Sequence, residues 1–546
     1  MNIHPKPHAE AEISATPTLF AEGIVAKSLE NIREPSLDPR VSLSSRPDEN
    51  LLDQSLGRQS SKLNFHCHDT TIATEKSFKD EELIYIEFEE GDQRNPINFS
   101  KRKKWAITAI ACFGTYLVSS AAPIYNLGFP SIIRDLRCTE FQATIGLSVY
   151  ALGFGLTPLV TASLSEEFGR LLLYIGSGLG FLVMFPVIAL AKNIETVIVA
   201  RFIQGAFGST GATMVGGTVS DIWSTKERGL PMSIFALLAI GGAGLGPVYS
   251  GWIEINPKLE WKWIQWTHMM LSAVYLLLVP FLMTETRSSV ILTRITKKLR
   301  ETTGDQRYRA RMEDERASLG TLIFISCTRP VHLMCTELVV SSFSIWVGFA
   351  WGLTYGLIDS IPDVFQNLHH FNIAETGMVF LAIVIGSVLG FFTNFYQETL
   401  YQRYFPTRGP EARLYLACCA GVLLPTGMFI YAWSSFTFVH WIALTIGIVL
   451  YIWATFIIYL AVFSYLADCY GPFASSALAG QSLARNLSAT AFPLFTTQIY
   501  KTLGYNWANT LFGCLATIMA TIPFILFFYG PAIRRRSKFS RAVMDL

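Results

Sequence analysis

Long apolar runs alternate with short polar breaks from residue 105 to residue 530. A helix of about twenty residues is long enough to cross ~30 Å of hydrocarbon. Twelve such spans are predicted. They lie near 105–127, 141–163, 171–191, 196–220, 229–252, 263–284, 331–357, 374–397, 412–432, 437–465, 475–499 and 507–530, and are numbered 1 to 12. The stretch from Glu195 to Ile253 organises the pattern, with spans 4 and 5 joined by a charged turn from Asp221 to Arg228. Span 4 carries Arg201 and Gln204 inside its apolar run. A charge there costs at least ~2.5 kcal/mol on insertion scales, so it faces a protein interior or snorkels to the interface. The small residues Gly208, Ala212 and Gly216 that follow favour the inward reading. Span 5 repeats Gly242, Gly246 and Ser250 every four residues. That leaves one face nearly bare and fit for close helix approach. Pro247 removes a backbone donor from the same helix.

The breaks divide the chain. Residues 1–104 are polar and read as a disordered cytoplasmic tail. The LIYIEFEE patch at 83–90 reads as a solvated part of it. Residues 105–284 form an N-terminal six-helix bundle, 285–330 a cytoplasmic central loop, and 331–530 a C-terminal six-helix bundle. Residues 531–546 form a basic cytoplasmic tail. The outer loops hold only Arg134, Arg137, Lys192, Lys258, Lys262 and Lys501, while the central loop alone holds ten Lys and Arg. That asymmetry places both tails inside. Hydrophobic residues make up 51% and charged ones 15%, against ~25% charged in a typical soluble domain. A net charge of +2 gives no nucleic-acid surface, and the nine cysteines show no metal spacing.

The halves resemble each other. Span 4 ends in Ser220-Asp221-Ile222-Trp223 and span 10 in Ala467-Asp468-Cys469-Tyr470. Glu166 with Arg170 follows span 2, and Glu398 with Arg403 follows span 8. Gly169 permits a tight turn, and Asp221 is a natural partner for Arg170. Glu166, Gly169, Arg170, Asp221 and Arg228 are therefore a candidate cytoplasmic gate; the alternative is a solvated surface loop. Six spans, a long loop and six similar spans is the plan of a duplicated carrier, with its site between the halves.

Several stretches carry a specific resemblance. SLSEEFGR at 163–170, RFIQG at 201–205 and GLGPVYSG at 244–251 resemble motifs of the major facilitator superfamily. NPINFSKRKKW at 95–105, SDIWSTKERG at 220–229, WKWIQW at 261–266, PEARL at 410–414 and YLADCYGPFASSALAGQSLARNLSATAFPLF at 465–495 resemble its fungal twelve-span drug–proton antiporter branch. The resemblance implies an all-α integral membrane fold: twelve transmembrane helices in two pseudo-symmetric halves. It implies that Arg201, with Gln204, supports proton exchange by favouring a neighbour's deprotonated form. It makes span 5 an antiporter helix through Gly242, Gly246, Pro247 and Gly251. It lines a central cavity from spans 1, 4, 7 and 10, where Asn126, Trp346, Trp351, Tyr355, Trp453 and Tyr459 are candidates. Departures are Ser163, Glu166 and Leu171-Leu172-Leu173 in the loop motif, Ser250 in span 5 and Leu338 after Glu337.

The coupling acid stays open. Spans 1, 2 and 3 hold no interior carboxylate, and Glu254 ends span 5. Glu337, about one and a half turns into span 7, is a candidate for proton coupling, with a salt bridge or helix-end partner as the equal alternative; Asp359, at the outer end of that span, and His268 and His440, near span ends, are the others. So few cavity carboxylates argue against polycationic cargo. They suit apolar or amphiphilic compounds, or weak acids held by Arg201. A proton-driven exporter of drugs or secondary metabolites is expected, with no cofactor beyond the proton gradient. The alternative is an importer of an organic acid or other nutrient. Thr284-Glu285-Thr286-Arg287 departs from the sugar-carrier run that closes span 6 in relatives. No HExxH, GxSxG or GxxxxGK[ST] pattern points to an enzyme or an ATP-driven pump. A monomer in the plasma membrane is expected, with a vacuolar or vesicle membrane as the alternative.

Overall fold

The structure, a computed structural model, describes residues 83–224, 227–314, 318–537 and 539–541. The tail expected to be disordered lies outside the described residues up to residue 82. The helices keep the span numbers given above. Span 1 is Lys101–Leu127, span 3 Arg170–Ala189, span 4 Ile194–Ile222, span 5 Gly229–Glu254 and span 6 Glu260–Leu282. Span 2 is bent by 44° where Glu140–Leu156 meets Pro158–Phe168, since Pro158 cannot donate to the preceding turn. Span 7 is Leu338–His369, span 9 Tyr415–Ser434 and span 10 Trp441–Tyr470. Span 8 joins Ile373–Val379 to Leu381–Arg408. Spans 11 and 12 run from Ala474 to Arg536, with a kink at Gly504 where φ is 76°.

Among the described residues nine helices, or ten counting the bent pair, are long and apolar enough to cross a membrane. That count differs from the twelve expected for physical reasons. Ile373–Ser434 and Ala474–Arg536 are continuous stretches of 62 and 63 residues. At 1.5 Å per residue each is about three hydrocarbon thicknesses long, room for two crossings. Span 4 is not in the set, because Arg201, Gln204 and several glycines dilute its apolar run, whereas Leu319–Thr336, outside the twelve numbered spans, is counted in it.

Each half has its own core. Ile107, Leu117, Tyr125 and Val215 belong to the first, and Phe343, Trp346, Tyr451 and Phe456 to the second. In the first half span 1 packs on spans 4, 5 and 6, and span 4 on spans 2 and 3. In the second half span 7 packs on span 11, and span 10 on spans 8 and 9. The halves meet along two seams, span 2 against span 11 and span 5 against span 8.

Three boundaries differ from expectation. The central loop holds a helix at Ser288–Thr303 and a second at Leu319–Thr336, which Ser318 caps by accepting from the Thr321 N–H at 3.2 Å. Span 7 therefore starts at Leu338, and Glu337 is not inside it. Glu337 sits at the break, in extended conformation, between two helices. At the other end span 7 continues to His369, so Asp359 lies ten residues inside it. The basic C-terminal segment is helical through Arg536, and Arg534 is buried.

The patch read as solvated has a partner. Ile84–Tyr85 pairs in parallel with Tyr308–Arg309 of the central loop. The Ile84 N–H donates to Arg307 O at 2.9 Å, and the Ile86 N–H to Arg309 O at 3.0 Å. Alternate residues of a strand point their amides to opposite sides, so the Tyr85 N–H faces away from the partner strand. Hydrogen exchange resolved to single amides should show Ile84 and Ile86 slower than Tyr85. Equal rates at all three would mean that the tail and the loop are not paired.

Candidate functional site

The charged turn after span 2 is built around a backbone that only glycine tolerates. Gly169 has φ 88°, and a Cβ there would strike the Glu285 carboxylate. Arg170 then opens span 3, and its Nε donates to Asp221 Oδ2 at 2.5 Å. Gly217, one turn before Asp221, leaves the space that the guanidinium fills: a Cβ would stand 2.5 Å from both Nη atoms. Glu285 accepts from the Arg170 and Leu171 N–H groups at 3.0 and 3.3 Å, and from those of Thr286 and Arg287 at 3.0 and 2.9 Å. A carboxylate at a helix N-terminus satisfies donors that the helix leaves unpaired. Arg287 approaches Asp221 at 3.7 Å and Glu166 at 3.8 Å. The Glu166 side chain is 58% exposed, so it sits at the rim.

Glu166, Gly169, Arg170 and Asp221 thus meet, but within one half. The cluster fastens spans 3, 4 and 6 to each other and does not cross to the second half. Arg228, at the N-cap of span 5, looks across instead. Burial lowers the pKa of its guanidinium, and the charge of Asp468 from span 10 opposes that shift.

Asp468 ends span 10 as Asp221 ends span 4, yet its partner is Arg413 and not Arg403. Arg413 Nε donates to Asp468 Oδ2 at 3.1 Å, and Nη1 to Glu398 Oε2 at 2.8 Å. Tyr401 donates its hydroxyl to Asp468 at 3.0 Å and lies 3.3 Å beneath the guanidinium. The 3-10 turn Gly409–Leu414 carries Arg413 to this position. The same turn carries Glu411, which accepts from Arg534 at 2.7 and 2.9 Å. Both halves therefore tie their short inner loop to an aspartate that closes a long helix.

Arg201 is 1% exposed and points inward. Its Nη1 donates to Ala121 O at 3.0 Å and to Gln204 Oε1 at 2.8 Å, and its Nε to Gly146 O at 3.3 Å. Tyr125 and Tyr150 each place a ring centroid 4.4 Å from the guanidinium. Nη2 has no partner. Among the described residues no carboxylate pairs with it, so the acid implied by resemblance is not among its contacts. Glycine makes the pocket: a Cβ at Gly146 would strike the Tyr125 hydroxyl, and one at Gly205 would strike Tyr150 O.

The other candidate acids have structural partners. Glu337 accepts from the Tyr470 hydroxyl at 3.2 Å and ties the start of span 7 to the end of span 10. Asp359 accepts from Thr497 Oγ1 at 3.1 Å across spans 7 and 11. His268 is fully buried with Nε2 2.9 Å from Leu117 O. A carbonyl only accepts, so that nitrogen carries the proton and Nδ1 receives the Tyr249 hydroxyl at 2.6 Å.

Span 5 presents two bare faces. A Cβ at Gly246 would stand 2.7 and 2.8 Å from Ile124 and Ser120 of span 1, and one at Gly242 would strike Ser119. Gly251 faces span 8, where Ile373 O is 2.8 Å from the position of a Cβ. The Pro247 carbonyl in turn fills the space beside Gly377 of span 8, at 2.5 Å. Of the cavity candidates, Asn126 reaches across the halves and donates to Ile358 O at 2.6 Å. Tyr355 packs against the core of the first half, within electrostatic reach of Arg201. Trp351 lies beside Tyr459, with ring centroids 5.6 Å apart. Trp453 donates to Thr393 Oγ1 at 2.9 Å, and Trp346 is buried in the second core.

Two outcomes follow. Arg170→Ala leaves Asp221 without its closest partner and should cost about 3–5 kcal/mol of stability. Glu166→Ala removes only a rim contact and should cost about 0–1 kcal/mol. Unfolding midpoints of the purified chain in detergent check this, and equal shifts would contradict it. Gly251→Leu should leave the chain in the membrane but abolish transport, because the seam with span 8 has no room for the side chain. Full transport by that variant would mean the seam yields.

The fold has known counterparts. The family model described as Major Facilitator Superfamily matches residues 105–467. The multidrug transporter FLR2 of Candida glabrata is 30% identical, over 87% of this chain and 83% of its own. An efflux pump of Trichophyton rubrum, MFS2, is 32% identical over 82% and 76%. The ascochitine biosynthesis cluster transporter of Didymella fabae is 32% identical over 82% and 88%. Among solved structures, the proton:xylose symporter XylE bound to 6-bromo-6-deoxy-D-glucose matches with a TM-score of 0.57. It is 14% identical over 79% of this chain and 96% of that one, which shows the fold alone. The chain is a multi-pass membrane protein and belongs to the Major Facilitator Superfamily.

Proposed function

We propose that this chain exports small amphiphilic organic compounds in exchange for protons, by alternating access between its two halves. The observation that carries the reading is Arg201. A guanidinium held by two tyrosines and two carbonyls, with one nitrogen unpartnered, is costly to keep inside an apolar bundle. It lies within electrostatic reach of Tyr355, a residue of the opposite half, so its surroundings change when the halves move. The names of the relatives, a multidrug transporter, an efflux pump and a biosynthesis-cluster transporter, support export and this cargo class. No cofactor is invoked: the proton gradient supplies the energy, one chain is the working unit, and the plasma membrane is the proposed site.

Glycine seams suit this motion. They bring spans 5 and 8 together backbone to backbone, and seat Asn486 of span 11 on Gly155 of span 2, with few directional bonds to break. Polar links between the halves are sparse. Ser163 meets Ser326 at 2.6 Å and Asn394 donates to Ser233 at 2.9 Å. On the opposite side Lys501 pairs with Glu140 at 2.7 Å.

Arg201→Lys is the decisive variant. Lysine keeps the charge but presents no planar fork to two carbonyls and an amide at once. The variant should reach the membrane and lose most proton-coupled efflux, and Arg201→Ala should lose all of it. The measurement is substrate movement in energised vesicles under an imposed pH gradient, normalised to protein. Near-normal coupled efflux by the lysine variant would return Arg201 to a structural role. Movement only in the direction of the proton gradient would make the carrier an importer.

A further inference from the structure

The second half has a buried arginine of its own that the motifs left without a role. Arg485 lies in span 11 and is 8% exposed. Its Nη2 donates to Ser482 Oγ at 3.2 Å, and its Nε has no partner. The guanidinium carbon is 4.6 Å from the ring centroid of Trp351 and 5.2 Å from that of Tyr459. Gln481, one turn earlier on the same face, is 4% exposed, and its Nε2 is also unpartnered. Among the described residues no carboxylate pairs with Arg485. The arginines at helix and loop ends differ: Arg170 has Asp221, Arg413 has Asp468, and Arg534 has Glu411.

Position matters as much as charge. Arg485 is eleven residues from Ala474, ~16 Å along its helix, close to the middle of ~30 Å of hydrocarbon. Tyr459 is the same distance from the end of span 10 at Tyr470, and Trp351 is thirteen residues into span 7. Asn486 next to it packs on Gly155 of span 2, so the group borders the seam between the halves. Tyr355, one turn beyond Trp351, lies within electrostatic reach of both Arg485 and Arg201. Two aromatic faces offset part of the cost of burying the cation. They leave the Nε donor and the Gln481 amide without an acceptor. An oxyanion supplies both, and a ring attached to it stacks on Trp351 and Tyr459.

We propose that Arg485 and Gln481 bind the carboxylate of an aromatic organic acid at the seam, so that the preferred cargo is an amphiphilic monoanion and not a neutral or cationic compound. This rests on the transport reading above and names the substrate class of that same site.

The test uses the full chain purified in neutral detergent and three probes of matched shape. They are naphthalene-2-carboxylate, naphthalene-2-carboxamide and 2-naphthylmethylamine, with binding read by calorimetry. The carboxylate should bind at least tenfold more tightly than the amide, and the amine most weakly. Arg485→Gln should erase that preference, and Gln481→Leu should reduce it. Equal binding of carboxylate and amide by the unaltered chain overturns the proposal, whether or not any variant folds. A variant lacking Arg485 that keeps the tenfold preference overturns it too. Binding here needs no gradient, so the two readings fail separately. Acid preference without coupled movement in vesicles would sink the export reading alone. Coupled export of neutral cargo without acid preference would sink this one alone.

Discussion

A charge inside an apolar bundle needs partners within reach, and the rest of this structure is arranged by that constraint. Water cannot screen a guanidinium in the bundle, so backbone carbonyls, tyrosine faces or carboxylates take its place. The chain solves this in two ways. At the helix ends on the side of the central loop it pairs arginine with aspartate: Arg170 with Asp221, and Arg413 with Asp468. Deeper in the bundle it gives arginine only neutral partners, at Arg201 and Arg485. The first kind is closed to further chemistry. The second keeps donors in reserve.

Glycine is the complement of these charges. Gly217 yields its side-chain volume to the Arg170 guanidinium, and Gly146 and Gly205 yield theirs to the tyrosines around Arg201. The same economy of volume makes the seams. Gly251 and Gly377 bring spans 5 and 8 into backbone contact, while Gly155 receives Asn486 between spans 2 and 11. In a lipid environment such contact is what holds helices together, since burying apolar side chains gains little there. Pairing charges within each half and packing glycine between halves lets a half stay rigid while the seam slides.

Much of this was legible in the sequence. Apolar runs located the helices, and the four-residue glycine repeat of span 5 announced a close face. Asp221 and Arg170 could be matched because each is fixed at a helix end. Partner choice within the second half could not. Arg403 follows Glu398 as Arg170 follows Glu166, but the 3-10 turn at Gly409–Leu414 delivers Arg413 instead. A turn of that kind has no periodic signature. Glu337 looked like an intramembrane acid because the apolar run continues on both sides of it. Two helices meeting at one residue read as one long run when only hydropathy is followed. Pairing of Ile84 with the central loop involves two residues per strand, too few for alternation to stand out. Arg485 had the same signal as Arg201, a lone cation in an apolar helix, within a motif read for its length and not for its charge.

The two neutral-partnered arginines stand on opposite halves and at different depths. Arg201 is twenty-one residues from the inner end of span 4 at Ile222, ~31 Å, and Arg485 is about half as far from the corresponding end of span 11. Span 7 runs between them, with Trp351 beside Arg485 and Tyr355 one turn closer to Arg201. Neither cation can leave its helix, and among the described residues neither is paired with a carboxylate. A rocking motion that changes the distance between them changes the field along span 7. An anion placed there would be attracted to both and would weaken their mutual repulsion. A cation placed there would meet repulsion from both, with Asp359, one turn beyond Tyr355 on span 7, to offset part of it. The two arginines bring the same sign of charge to the seam from either half.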